Sequence, residues 1–120
     1  MQDFHKVDAW RKAHSLTLQI YRITERFPRE EAFGLSVQLR RAAATIAMKI
    51  AEGCGKDDNM ELVRCLRQSR GTAVDLEYLL LLARDLHFIE EPVHDASLYQ
   101  LIEIRKMLSG FMKTVVGTAV

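Results

Sequence analysis

The sequence predicts an all-α fold, an antiparallel up-down-up-down four-helix bundle in which residues 1–120 form one domain. Three observations carry this. Apolar residues recur at steps of three and four along four segments, and no segment alternates with the period of two of a half-buried strand. The only two prolines, Pro28 and Pro92, fall where that periodicity breaks. A third break is the run Gly53-Cys54-Gly55-Lys56-Asp57-Asp58. Short breaks between long periodic segments make neighbouring helices antiparallel, and 120 residues are enough for one core without disulfides or metal.

The first helix is expected from about Asp8 to Arg26. Asp8 suits an N-cap, because its carboxylate can accept from the free amides of a first turn. Ala13, Leu16, Thr17, Ile20, Ile23, Thr24 and Phe27 share one face, with Arg11, Arg22 and Arg26 on the other. Trp10 stands at the margin, placed to cover one end of the core, and Pro28 stops the helix.

The second helix is expected from about Glu31 to Glu52. Leu35, Leu39, Ala42, Ala43, Ile46 and Ile50 form its inner face, and Gly53 is placed to cap it in the left-handed conformation. Its outer face is also partly apolar. A helix apolar on more than one face needs more than one partner surface, so Val37, Ala44 and Met48 are the candidate subunit interface.

The third helix is expected from about Asn59 to Leu86. Asp58 with Glu61 reads as a capping box with Asp in place of Ser or Thr. Val63, Leu66, Ala73, Leu76 and Leu80 make its stripe, and the run Tyr78 to Ala83 covers the whole circumference, which predicts burial on most sides. Gly71 in mid-helix costs about 1 kcal/mol against Ala, which predicts close approach of another backbone. Ser69, Arg70 and Glu77 lie in or beside the stripe and need partners. Arg70 with Glu77, or either with Arg40, is the expected pairing.

The fourth helix is expected from about Pro92, suited to a first turn, to Val116. Leu101, Ile104, Leu108, Phe111, Met112 and Val115 step in threes and fours, and Gly117 to Val120 are expected to fray.

Chemistry-bearing patterns are sparse. His5, His14, His87 and His94 are scattered, and no carboxylate pair combines with a His three residues on, as a di-iron bundle requires. Cys54 and Cys65 make neither a disulfide framework nor a zinc motif. No glycine-rich phosphate loop follows a strand. The sequence therefore points away from an enzyme and calls for no cofactor, metal or small-molecule substrate. The polar start and the lack of a long apolar run predict a cytoplasmic protein rather than a secreted or membrane one.

Charge is more informative. The formal net charge is only +1, so no global field draws the chain to polyanions. Locally, residues 40–70 hold seven basic side chains against four acids, and residues 71–103 hold seven acids against Arg84 alone. The up-down order places Glu90, Glu91 and Asp95 at one end of the bundle and a mixture richer in Lys and Arg at the other. Arg40, Arg41, Lys49, Arg64, Arg67 and Arg70 are the candidate phosphate contacts. One subunit offers few, and a ring of subunits would multiply them, since affinity for nucleic acid grows with the number of phosphates neutralised.

Several runs occur in a familiar order: Asp8-Ala9-Trp10-Arg11-Lys12-Ala13, Phe27-Pro28 with Phe33-Gly34-Leu35, Gln38-Leu39-Arg40-Arg41-Ala42-Ala43, Ile50-Ala51-Glu52-Gly53 and, later, Leu82-Ala83-Arg84-Asp85-Leu86. Together they resemble the bacterial four helix bundle protein family encoded by intervening sequences within large-subunit ribosomal RNA genes. The resemblance implies a bundle that assembles as a ring-shaped homopentamer. It also implies kinship in fold with the accessory variability protein of diversity-generating retroelements, which partners a reverse transcriptase and binds nucleic acid. The expected partners are thus further copies of the chain and RNA or an RNA-protein complex, with a protein-interaction scaffold as the rival. The chain departs from the family where Thr45-Ile46-Ala47-Met48-Lys49 stands in place of the usual Ser-Ile-Pro-Ser-Asn, so Ala47 takes the place of a Pro and Lys49 of an Asn.

Overall fold

The computed structural model describes residues 1–31 and 34–119. Four helices run in sequence: α1 (Asp8–Thr24), α2 (Leu35–Cys54), α3 (Asn59–Asp85) and α4 (Glu91–Ala119). Short 3-10 turns at Phe4–Lys6 and Arg29–Glu31 precede α1 and α2. Ala32 and Phe33 lie outside the described residues, and with them part of the segment expected to open the second helix.

Local chemistry accounts for the boundaries. The N-cap of α1 is Val7, which offers no side-chain acceptor, and Asp8 is the first helical residue. The expected Asp8 cap is therefore corrected: its carboxylate instead accepts from Arg11 Nη1 at 3.2 Å. Glu31 Oε2 accepts from the Leu35 amide at 2.9 Å, satisfying one free donor at the start of α2. Asp58 caps α3 as expected, accepting from the Met60 amide at 3.0 Å, whereas Glu61 makes no reciprocal bond among the described residues. At the other end of α3, His87 takes a left-handed conformation (φ 63°). The His87 amide donates to the Arg84 carbonyl and the Phe88 amide to the Ala83 carbonyl, both at 2.9 Å, which closes the helix in a Schellman arrangement. The helix α4 begins one residue before Pro92 and runs through Gly117 to Ala119, beyond the expected end at Val116; Val120 lies outside the described residues.

The core follows the predicted stripes. Leu16, Ile20, Leu39, Ile46, Ile50, Leu66, Leu76, Leu80, Leu101, Ile104 and Leu108 are the large side chains wholly removed from water. The run Tyr78 to Ala83 is less buried than its composition implied. Leu80 and Ala83 are buried, but Tyr78 is 60% exposed, because a long helix at the edge of a four-helix bundle keeps one face in water. Both cysteines are buried and free, and burial pushes the Cys54 thiol up.

Polar links tie each neighbouring pair of helices. Thr17 Oγ1 donates to the Ala43 carbonyl at 3.1 Å between α1 and α2. The buried Ser69 Oγ donates to the Ile46 carbonyl at 2.9 Å between α2 and α3. Arg105 pairs with Glu77 between α3 and α4, and Gln100 donates to Gln19 at 2.8 Å between α4 and α1. The expected Arg70–Glu77 or Arg40 pairing is thus replaced, because the stagger of α4 on α3 brings Arg105 to Glu77.

Two glycine expectations are also corrected. Gly71 is exposed and a Cβ there would meet nothing within 4 Å. Gly53 has no left-handed φ and lies inside α2; it is needed because a Cβ would meet Leu62 Cδ1 at 2.9 Å and Cys65 Cβ at 3.0 Å. Gly53→Ala is expected to lose about 1–3 kcal/mol from this overpacking, while Gly71→Ala gains up to about 1 kcal/mol from helix propensity. Paired urea denaturation curves check both. His87→Gly is expected to raise stability by roughly 1 kcal/mol, by relieving a left-handed non-glycine residue, and a thermal melt reads it directly.

Candidate functional site

The six basic residues singled out from the sequence do not form one patch. Arg40 is built into the fold. Its Nε donates to Thr24 Oγ1 at 2.7 Å, its Nη2 to the Tyr21 carbonyl at 3.3 Å, and its guanidinium carbon lies 4.7 Å from the centre of the Tyr21 ring. It clasps α2 to α1 and is half-buried there. Lys49 is half engaged, donating to Glu52 Oε2 at 3.0 Å. That bond, helped by the charges of Lys49, Lys56 and Arg64, holds the Glu52 carboxyl below the usual carboxylate range.

Arg41, Arg64, Arg67 and Arg70 are exposed and form no ion pair among the described residues. Arg64 and Arg67 stand about one turn apart on the outer face of α3. Arg41 borders a shallow cleft between α2 and α3 with Thr45, Asp75 and Tyr78. It lies beside the later half of α3, about four to five turns from the start of that helix and well apart from Arg64. Arg70 turns away from both, toward α4, where its Nη1 donates to Ser109 Oγ at 3.4 Å.

There Arg70 joins three cations that were not among the candidate phosphate contacts. A groove of about 750 Å³ along the α3–α4 seam is lined by Arg70 and Val74 from one helix and by Ile102, Arg105, Lys106 and Lys113 from the other. The signal was present in the sequence: Lys106 and Lys113 are seven residues apart, on the helix face opposite Leu101, Ile104 and Leu108. Beyond Val74 and Arg105 the seam continues past Tyr78, Leu81 and Leu98 to Arg84 and the buried His94. Arg84 is paired with Asp85 at 3.2 Å, and His94 Nδ1 lies 3.0 Å from Asp95 Oδ1.

The three interface candidates divide as well. Ala44 and Met48 share an apolar groove between α1 and α2 with Ala47 and Ala51, bordered by Phe4, Trp10 and His14. Met48 is 60% exposed. Val37 is half-buried and lies two turns further along, outside this groove. The aromatic rim is ordered by stacking: Trp10 lies parallel to His14 with ring centres 5.0 Å apart, and Phe4 packs edge-on to Trp10 at 4.8 Å. A bond from the His5 ring, with another from the His5 amide, holds the Asp3 carboxyl below its ordinary value and fixes the turn that carries Phe4.

Among the described residues no group of three or more His, Cys, Asp or Glu is placed to hold a metal ion, and no helix is long and apolar enough to cross a membrane.

Comparison with known proteins places this geometry. The model of the family described as 23S rRNA-intervening sequence protein matches residues 5–110. The fold is similar to the crystal structure of a protein of unknown function from the S23 ribosomal protein family of Bacteroides thetaiotaomicron. That similarity has a TM-score of 0.78 at 20% sequence identity and covers 88% of this chain and 98% of the other. None of the curated proteins compared matches this chain.

The division between fixed and available arginines is measurable in the isolated protein. Arg40→Ala is expected to cost about 1–2 kcal/mol, through lost charged hydrogen bonds and the contact with Tyr21. Arg67→Ala should change stability by less than about 0.5 kcal/mol. Chemical denaturation of the two variants side by side checks this.

Proposed function

This chain belongs to the 23S rRNA-intervening sequence protein family, and from that membership we propose a non-enzymatic, self-assembling protein that binds RNA through the basic outer face of α3. The observation that carries the reading is the state of Arg64 and Arg67. Both stand in water on one face of a long helix, with no ion pair among the described residues, while Arg40 is engaged by Thr24 and the Tyr21 carbonyl. Guanidinium groups held exposed on a rigid helix suit the planar, bidentate recognition of phosphate. The family's description ties it to ribosomal RNA genes and names no reaction.

Self-assembly supplies what one subunit lacks. Arg64, Arg67 and Arg70 neutralise three phosphates at most, too few for tight binding at physiological salt. A ring-shaped homopentamer, the assembly the family resemblance implies, would present the set five times. The apolar α1–α2 groove around Ala44 and Met48 supports an oligomer, since an apolar surface with an exposed Met and aromatic rim is a common mark of an interface.

The test is fluorescence anisotropy of a labelled structured RNA across a salt series, with light scattering on the same samples. Binding is expected with a log–log salt slope steeper than about −2.7, the limit for three contacts on a duplex. Charge reversal by Arg64→Glu with Arg67→Glu should abolish it, and Met48→Glu should reduce the measured mass toward that of the monomer. No binding at low salt would leave a protein-interaction scaffold in its place.

A further inference from the structure

We infer that the α3–α4 seam seats a single strand of RNA, its phosphates on Arg70, Lys106 and Lys113 and its bases against Val74, Ile102 and Tyr78. This rests on the RNA reading above and adds to it the kind of strand and a set of residues distinct from Arg64 and Arg67.

Three features of the seam lead there. The first is charge without an internal partner. Of the four cations around the groove only Arg105 is paired, with Glu77. Lys106 and Lys113 are exposed and form no ion pair or hydrogen bond among the described residues, and Arg70 touches only the neutral Ser109 hydroxyl. The groove therefore keeps a net positive charge that no side chain of the described residues neutralises.

The second is extent. Lys106 and Lys113 are seven residues apart on one helix face, or about 10 Å along the axis. Arg70 faces them from the neighbouring helix. A lone phosphate cannot span such a row, and a chain of phosphates can.

The third is the apolar surface interleaved with these cations. Val74 is 50% and Ile102 39% exposed within the groove, and Tyr78 is 60% exposed where the seam continues. Tyr99, 66% exposed, lies on the same outer face of α4 one turn before Ile102. A duplex presents phosphates and sugar edges and keeps its base faces stacked inside, so it has no use for such a surface. A single strand offers its bases to stack on exposed aromatic rings while cations track its backbone.

The experiment compares an unstructured oligouridylate with a blunt RNA duplex of equal length, by anisotropy at several salt concentrations. Wild type and the variants Tyr78→Ala, Lys106→Gln with Lys113→Gln, and Arg64→Glu with Arg67→Glu are measured, with circular dichroism melts to establish that each folds. The expected result is binding of the single strand at least tenfold tighter than the duplex. Tyr78→Ala should weaken it about tenfold, and the double lysine variant should flatten the salt slope by about 0.7 per lost contact. Equal affinity for both RNAs, or seam variants that bind like wild type while Arg64→Glu with Arg67→Glu does not, overturns the seam and leaves the RNA reading standing. Failure of every form to bind either RNA at low salt overturns both.

Discussion

The close approach of α2 and α3 is the constraint on which the rest of the molecule depends. At Gly53 the two helices come so near that a methyl group would strike Leu62 and Cys65. Midway along, Ser69 reaches across to the Ile46 carbonyl inside the core. A buried hydroxyl left without a partner costs more than a bonded one contributes, so this bond selects the axial stagger of the two helices as well as holding them. Once that stagger is set, the turn at residues 55–58 has one length to bridge. The outer face of α3 is then turned outward along its whole length. The remaining helices dock against the pair through polar links at the seams, on a core of Leu and Ile that specifies much about burial and little about sliding.

That stagger also decides which charges are available. Arg40 and Arg41 are adjacent in sequence and opposite in fate. One lies over the Tyr21 ring with two hydrogen bonds to α1, and the other stands in water at the α2–α3 cleft. Arg105 and Lys106 repeat the contrast on α4: the first answers Glu77, the second faces the groove with no ion pair. The local excess of basic residues is therefore divided among structural clasps, a half-engaged Lys49 and two free rows, one along α3 and one along the α3–α4 seam.

Much of the architecture was legible from periodicity, because a stripe of apolar residues states which face turns inward. The four segments, the breaks at Pro28 and Pro92 and the Asp58 cap all follow from local rules. What escaped depends on how one helix slides against another, which no single stripe records. The close approach expected at Gly71 falls instead at Gly53, which lies under a neighbouring helix, while Gly71 faces water. Arg70 and Glu77 are spaced to pair within α3, yet each is answered from α4. His87 in a left-handed turn was unmarked, because the position usually falls to Gly. Of the candidate site, the exposed arginines of α3 were foreseen. The cations of α4 were passed over, although the spacing of Lys106 and Lys113 opposite the core stripe was visible.

The burial of both cysteines has a practical side. Cys54 and Cys65 sit inside the bundle, and the interior holds the Cys54 thiol further from its anion than water would. Thiol-directed reagents attack the thiolate, so the folded chain presents such reagents with almost no target. A cysteine introduced on any exposed helix face would then be the one accessible thiol among the described residues. Dyes, spin labels or crosslinkers could be attached at a chosen address in each subunit without first stripping out the native sulfurs.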